Sequence, residues 1–327
     1  MRAIVITGAG GPDVLESQRR ETPEPGVGQV RVRVRASGLN RADLMQREGH
    51  YPAPSGAPAD IPGIEYAGEV DALGPGVTRW RAGDRVMGLV AGGAHAEQLC
   101  VHEREAIAIP AALSFDEAAA IPEAFLTAYD ALAARAGVQL GEVVLVHAAA
   151  SGVGTAAIQL ASVAGATVIG TSRSAAKLER VRALGVTHAV HAEGDDWPER
   201  VEAAVGANAV HVVIDLVGGA YLAGNLRVLA TLGRLVLIGL TAGRRAPLDM
   251  GVVLAKRATV VGTVLRARPL EEKIALAREF ESRVVPLFER GALRPVVDRV
   301  LPFSEVRGAH EALARNDTVG KIVLRWD

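Results

Sequence analysis

Up to about residue 122 the chain is built from short apolar runs broken by Gly and Pro. Turn-rich segments at 23–28, 51–62 and 74–83 separate strand-like stretches at 30–37, 66–72, 85–89 and 94–101. In the run Val30-Arg31-Val32-Arg33-Val34-Arg35 the alternation has period two, which predicts a strand with its valines inward and its arginines in water. Short strands punctuated this way predict an irregular antiparallel β domain.

The texture changes near Ser114. Ser114-Phe115-Asp116-Glu117 reads as a helix start with acidic residues in the first turn, and an alanine-rich helix is expected over 125–136. Apolar strands at 143–148, 167–171, 189–191, 210–215, 234–239 and 259–264 then alternate with helices such as 155–164 and 174–184. Buried strands alternating with helices predict a doubly wound, six-stranded parallel sheet, an α/β architecture that binds dinucleotides. Beyond Arg266 the pattern predicts a long helix at 270–290, a strand at 295–303, a helix at 306–314 and a last strand at 321–326. This tail is expected to pack back on the β domain.

The chain's 327 residues suit two domains, and a composition 49% hydrophobic and 22% charged is that of a folded globular protein. A formal net charge of −1 gives no electrostatic reason to expect nucleic acid or an anionic membrane as partner. The single cysteine, Cys100, allows no intramolecular disulfide and no zinc site that needs two or more thiolates. The N-terminus runs straight into an apolar strand without the pattern of a secretory signal, so a cytoplasmic location is expected.

The sharpest chemical motif joins the strand Val143-Val144-Leu145-Val146 through His147-Ala148-Ala149-Ala150 to Ser151-Gly152-Val153-Gly154 and a helix. Small residues there let a helix N-terminus approach a pyrophosphate, whose charge free N–H groups and the helix dipole stabilise. The glycine fingerprint would put glycine at 149, 151 and 154; this chain has Ala149, Ser151 and Gly154, with Gly152 in addition. About twenty residues on, where an NAD-binding strand carries Asp or Glu, the segment Gly170-Thr171-Ser172-Arg173-Ser174-Ala175-Ala176-Lys177 has no acid. Arg173 can pair with a 2′-phosphate, with Ser172, Ser174 and Lys177 close by in sequence. One charge-assisted hydrogen bond contributes about 1.5–3 kcal/mol, so NADPH is the expected cofactor.

From these motifs outward the sequence resembles the medium-chain dehydrogenase/reductase superfamily, in particular its zinc-free, zeta-crystallin-like quinone oxidoreductases. Within them it is most similar to the p53-inducible branch. The resemblance spans the whole chain and rests on 36–47, Gly49-His50-Tyr51, Pro62-Gly63-Ile64-Glu65, 119–124, Leu126-Thr127-Ala128, 151–160 and 319–324. Zinc-dependent cousins would need a cysteine near Gly38 and a His-Glu pair where Ile64-Glu65 stands, so no metal is expected. The resemblance implies a GroES-like catalytic domain (1–123 and 267–327), a Rossmann NADPH-binding domain (124–266), and a cleft between them. It implies that Tyr51 and Asn40 face the nicotinamide cleft, and that Thr127, Gly239 and Leu240 lie beside the nicotinamide. Lys321 would close the cleft, while Glu65 and Asp43 are read as structural.

Hydride comes from the cofactor, so the expected reaction is reduction of a quinone, with reduction of an enone double bond as the alternative. A third reading is an NADPH-binding protein without catalysis. The apolar edge stretch 259–264 predicts a homodimer.

Overall fold

The computed structural model describes residues 1–326. The chain divides into two compact units, Met1–Leu126 with Leu265–Asp327, and Thr127–Val264. The first unit opens with the antiparallel pair β1 (Arg2–Ile6) and β2 (Leu15–Arg19). Then come β3 (Gln29–Leu39), α1 (Arg41–Arg47), β4 (Glu65–Leu73), β5 (Arg85–Leu89), β6 (Gln98–His102), β7 (Ile107–Ala108) and α2 (Phe115–Ala118). α3 (Pro122–Tyr129) carries the chain across the boundary.

β3 is the spine of this unit. Val30, Val32 and Val34 are buried in its core, as the alternation requires, against Tyr66, Leu99, Leu324 and Trp326. Arg33 is exposed as expected, while Arg31 and Arg35 are tied: Arg31 Nε donates to Asp71 at 2.8 Å and Arg35 Nη2 to Glu69 at 2.7 Å. Ser114 caps α2, its Oγ accepting from Glu117 N–H at 3.2 Å. The expected strand over 94–101 begins only at Gln98, because the N–H groups of Ala94 and His95 go to the Pro62–Gly63 turn and that of Glu97 to Arg2.

The second unit alternates β8 (Val143–Val146), α4 (Gly152–Val163), β9 (Thr167–Ser172), α5 (Ala175–Arg182), β10 (His188–His191) and α6 (Trp197–Val205). It continues with β11 (Val210–Asp215), α7 (Tyr221–Val228), β12 (Leu229–Leu237), α8 (Met250–Lys256) and β13 (Thr259–Gly262). All six strands are parallel, in the order β10-β9-β8-β11-β12-β13. Val144, Leu145, Val146, Val212, Val213 and Ile214 are fully buried, as central strands covered on both faces must be. β9 and β10 lie on one side of β8 and β11 to β13 on the other, so the order reverses between β8 and β11 and the C-terminal end of β8 lies at the switch point.

The helix expected over 125–136 is two structures. After α3 the chain unwinds into a π segment, Asp130–Arg135, closed by Ala136 N–H donating to Ala131 O at 2.9 Å. Buried Asp130 anchors it, accepting from Thr263 Oγ1 at 2.5 Å and from Arg135 Nε at 3.3 Å.

The chain then returns to the first unit through α9 (Leu270–Arg283), α10 (Val285–Glu289), β14 (Val297–Pro302), α11 (Val306–Ala314) and β15 (Lys321–Arg325). The single helix expected at 270–290 breaks at Val284: Pro286 has no N–H to donate and its ring clashes with a continuing turn. β15 pairs antiparallel with β3, Ile322 opposite Leu39 and Leu324 opposite Ser37. That register places Lys321 next to the β3–α1 corner.

Candidate active site

At the end of β8 the backbone turns sharply, with Ala148 at φ +47° in the left-handed region. Ser151 N–H donates to Ala148 O at 2.8 Å, and Ser151 Oγ caps α4 by accepting from Gly154 N–H at 3.0 Å. The first-turn N–H groups of Gly152 and Val153 have no acceptor within the helix, and both residues are partly exposed. Gly154 must be glycine, since a Cβ there would lie 2.4 Å from Ala148 O. Ala149 is fully buried with its N–H spent on Thr171 O at 2.9 Å, so it shapes the turn by its small size and offers no donor.

A buried polar network supports this turn from below. His147 bonds Thr171 Oγ1 through Nδ1 at 2.8 Å and Asn225 Oδ1 through Nε2 at 2.7 Å. Asn225 Nδ2 donates to Asp215 Oδ2 at 2.9 Å, while Asp215 Oδ1 accepts from Val217 and Gly218 N–H at 2.7 and 2.9 Å. Burial lowers the His147 pKa, so the ring is a neutral strut. It meets Trp197 and Tyr221 edge-on, at 4.8 and 4.9 Å between centroids. Gly239 and Leu240 follow β12 beside the Asp215 turn; Leu240 is 51% exposed, and a Cβ at Gly239 would lie 2.7 Å from Leu216 O.

The end of β9 is closed by two short side-chain turns. Ser172 Oγ accepts from Ser174 N–H at 3.2 Å, and Ser174 Oγ caps α5 by accepting from Lys177 N–H at 3.4 Å. Arg173 is exposed, its carbonyl bonded to His191 Nε2 at 2.9 Å, and Lys177 is half-buried. No carboxylate lies between Gly170 and Lys177. The turn, the obligatory glycine and the basic corner all fit a dinucleotide phosphate.

In the first unit the structure gathers Asn40, Glu65 and Lys321 into one knot. Lys321 Nζ donates to Glu65 Oε1 at 2.5 Å, Asn40 Oδ1 at 2.5 Å and Leu39 O at 3.0 Å, which uses all its protons. Asn40 Nδ2 donates to Glu65 Oε1 at 2.8 Å, so the amide is held at both ends. Glu65, expected to bond backbone or arginine, takes Glu123 N–H at 2.8 Å and otherwise these two side chains. Lys321, 5% exposed, thus spends its charge inside the unit. Asp43 accepts from Asn40 and Gly63 N–H at 2.7 and 3.0 Å; burial nevertheless raises its pKa to about 6.

Tyr51 sits beneath Arg266, whose Cζ is 5.0 Å from the ring centroid and whose Nη1 donates to Tyr51 O at 3.2 Å. Burial raises the phenol pKa, so it is a proton-bearing donor. Thr127, on α3, is buried with its Oγ1 unpartnered. Two participants carried no signal in the sequence, Arg266 and Asn225, which act across more than seventy residues. At Gly38 a Cβ would lie 2.2 Å from Glu65 Oε1 and 2.6 Å from Ala119 O, so no side chain fits there. Among the described residues no group of three or more His, Cys, Asp or Glu is placed to hold a metal ion, and no helix is long and apolar enough to cross a membrane.

A parallel sheet with a phosphate turn at its switch point, borne on a chain that also forms a mainly antiparallel β unit, defines a nucleotide-dependent dehydrogenase architecture. Comparison with known proteins agrees. The alcohol dehydrogenase GroES-like domain family matches residues 26–111, and the zinc-binding dehydrogenase family matches residues 152–282. The synaptic vesicle membrane protein VAT-1 homolog of Homo sapiens is 35% identical over 99% of this chain and 86% of its own. A quinone oxidoreductase of Lama guanicoe is 32% identical over 99% of this chain and 97% of its own. The crystal structure of an NAD-dependent alcohol dehydrogenase superposes with a TM-score of 0.89 at 34% identity, covering 100% of both chains. The chain belongs to the medium-chain dehydrogenase/reductase superfamily, as an oxidoreductase with a GroES-like unit and a Rossmann unit of the nicotinamide-binding kind.

Proposed function

We propose that this protein reduces quinones with NADPH by hydride transfer and without a metal ion, as a zeta-crystallin-like member of the superfamily close to the p53-inducible branch. The observation that carries the metal-free reading is at Gly38, where Glu65 and Ala119 O occupy the space a ligating side chain would need. Glu65 itself is committed to Lys321, Asn40 and Glu123 N–H. Without a Lewis acid, alcohol oxidation loses its usual alkoxide stabiliser, whereas a quinone is electrophilic enough to accept hydride directly.

Gly152 and Val153 N–H would hold the pyrophosphate at the dipole of α4. Arg173, with Ser172 and Lys177, would pair with the 2′-phosphate and so favour NADPH over NADH. When bound, the cofactor supplies the hydride. Tyr51 and Asn40 then offer hydrogen bonds to the oxygen on which negative charge develops, Tyr51 being the freer donor because the Asn40 amide is already held. Enone reduction is the second reading, favoured by the acid group described next. We further read the protein as a cytosolic homodimer joined through β13, which ends the sheet with Val260 37% exposed.

Stopped-flow oxidation of NADPH and NADH against a panel of quinones and enones tests the proposal. Fast turnover with quinones and a strong NADPH preference is expected; NADPH binding without turnover on any acceptor would refute it.

A further inference from the structure

Glu123 stands at the start of α3, directly after Pro122 and beside the Asn40–Glu65–Lys321 knot, and its Oε2 is buried without a hydrogen-bond partner. Its backbone N–H donates to Glu65 Oε2 at 2.8 Å, which brings two carboxyl groups together around a single lysine. The lysine's protons are already spent on Glu65, Asn40 and Leu39, so none reaches Glu123. Its Oε2 is shielded from solvent with no hydrogen-bond partner, although the residue as a whole is only half-buried. An ionised carboxylate in that position would leave Oε2 without hydration or a donor, beside the Glu65 carboxylate and with Lys321 and Arg266 only partly offsetting its charge. A neutral carboxylic acid is far less costly to hold there than the carboxylate, and it carries a proton.

We propose that Glu123 is a catalytic acid that supplies the proton accompanying hydride transfer when the acceptor is an enone. The proposal rests on the NADPH-dependent reductase reading above. Hydride adds to the β-carbon of the enone, the C=C π pair moves onto the carbonyl oxygen, and the nicotinamide is oxidised by two electrons. The proton on Glu123 passes to the resulting enolate, leaving a carboxylate that water reprotonates. A hydroquinone anion is far less basic than an enolate, so quinone reduction draws on this proton less.

The surroundings favour the acid form. Burial is the main cause, raising the Glu123 pKa to about 8; Glu65 and Asp43 push it upward, while Lys321 and Arg266 pull it down. Tyr51 also lies within its electrostatic reach. The facing groups therefore come from β4, α1, β15, the loop after α1 and the segment after β13. The sign follows directly: the proton is held below the raised value and lost above it, so enone turnover falls as pH rises through about 8. Tyr51 is left to position the carbonyl oxygen.

The test combines a titration that needs no turnover with one variant. Infrared difference spectra of the intact protein, without cofactor, should show a protonated carboxyl whose signal disappears near pH 8 and is missing in Glu123→Gln. Glu123→Gln keeps the shape but not the proton; its kcat for enones should fall about a hundredfold with little change in KM, more than its kcat for quinones, and the basic limb near pH 8 should vanish. A spectrum with no carboxyl titrating in that range, or a variant that keeps the wild-type enone pH profile, would overturn the proposal. A titrating carboxyl in a protein that turns over no acceptor would instead refute the reductase reading, and with it the destination of the proton.

Discussion

Lys321→Met tests whether the knot at the β3–α1 corner holds the first unit together. The substitution keeps the length of the side chain and removes its charge. Glu65, 0% exposed, would lose the Lys321 charge, while Leu39 O and Asn40 Oδ1 would lose their donor. Breaking a buried ion pair from one side costs about 3–5 kcal/mol, because the remaining charge stays desolvated. At about 1.4 kcal/mol per power of ten, amides of β3 and β15 that exchange through opening of this unit should exchange about two to four powers of ten faster. Hydrogen exchange suits the question better than a melting curve, since two units need not unfold in one step. Adding Glu65→Gln to Lys321→Met removes the stranded charge and should recover part of the loss. An effect below about 1 kcal/mol, or a double variant whose cost is the plain sum of the singles, would refute the reasoning.

The remaining predictions concern the second unit. Arg173→Asp should weaken NADPH about tenfold to a hundredfold while leaving NADH unchanged or tighter, as read by cofactor fluorescence titration; an unchanged ratio would remove Arg173 from the 2′-phosphate site. Gly154→Ala should force α4 away from β8, because its Cβ would stand 2.4 Å from Ala148 O, and should weaken both cofactors at least about tenfold by the same titration. Sedimentation should find the wild type at twice the chain mass, and Val260→Lys, which sets a charge on the exposed edge β13, at the mass of one chain; a monomeric wild type would end the dimer reading.

The parallel sheet was legible because each strand is a short, nearly continuous apolar run buried on both faces, and helices fill the gaps. β2 and β7 were not, since β2 alternates mostly polar residues on a two-stranded edge and β7 has only two residues, Ile107 and Ala108. Pro286 did announce the break after Val284, but the amphipathic pattern continues past it and masked the stop. Nothing local marks the π segment; it depends on Asp130 meeting Thr263, far along the chain. The cofactor turn was legible for a similar reason to the sheet, being contiguous from Ala148 to Gly154. The knot was not: Lys321 is 281 residues from Asn40, and only the pairing of β15 with β3 brings them together. Glu123 appeared in the sequence as one letter of a family segment, and its distinguishing property, an unpartnered carboxyl oxygen, exists only after folding.

The most direct test of the central claim is a single turnover: protein preloaded with one equivalent of NADPH, mixed with excess quinone in the presence of a strong metal chelator. The account predicts that the bound NADPH is oxidised completely, at a rate unaffected by the chelator and with equimolar hydroquinone formed. NADPH that stays reduced, or oxidation abolished by chelation and restored by zinc, would contradict it.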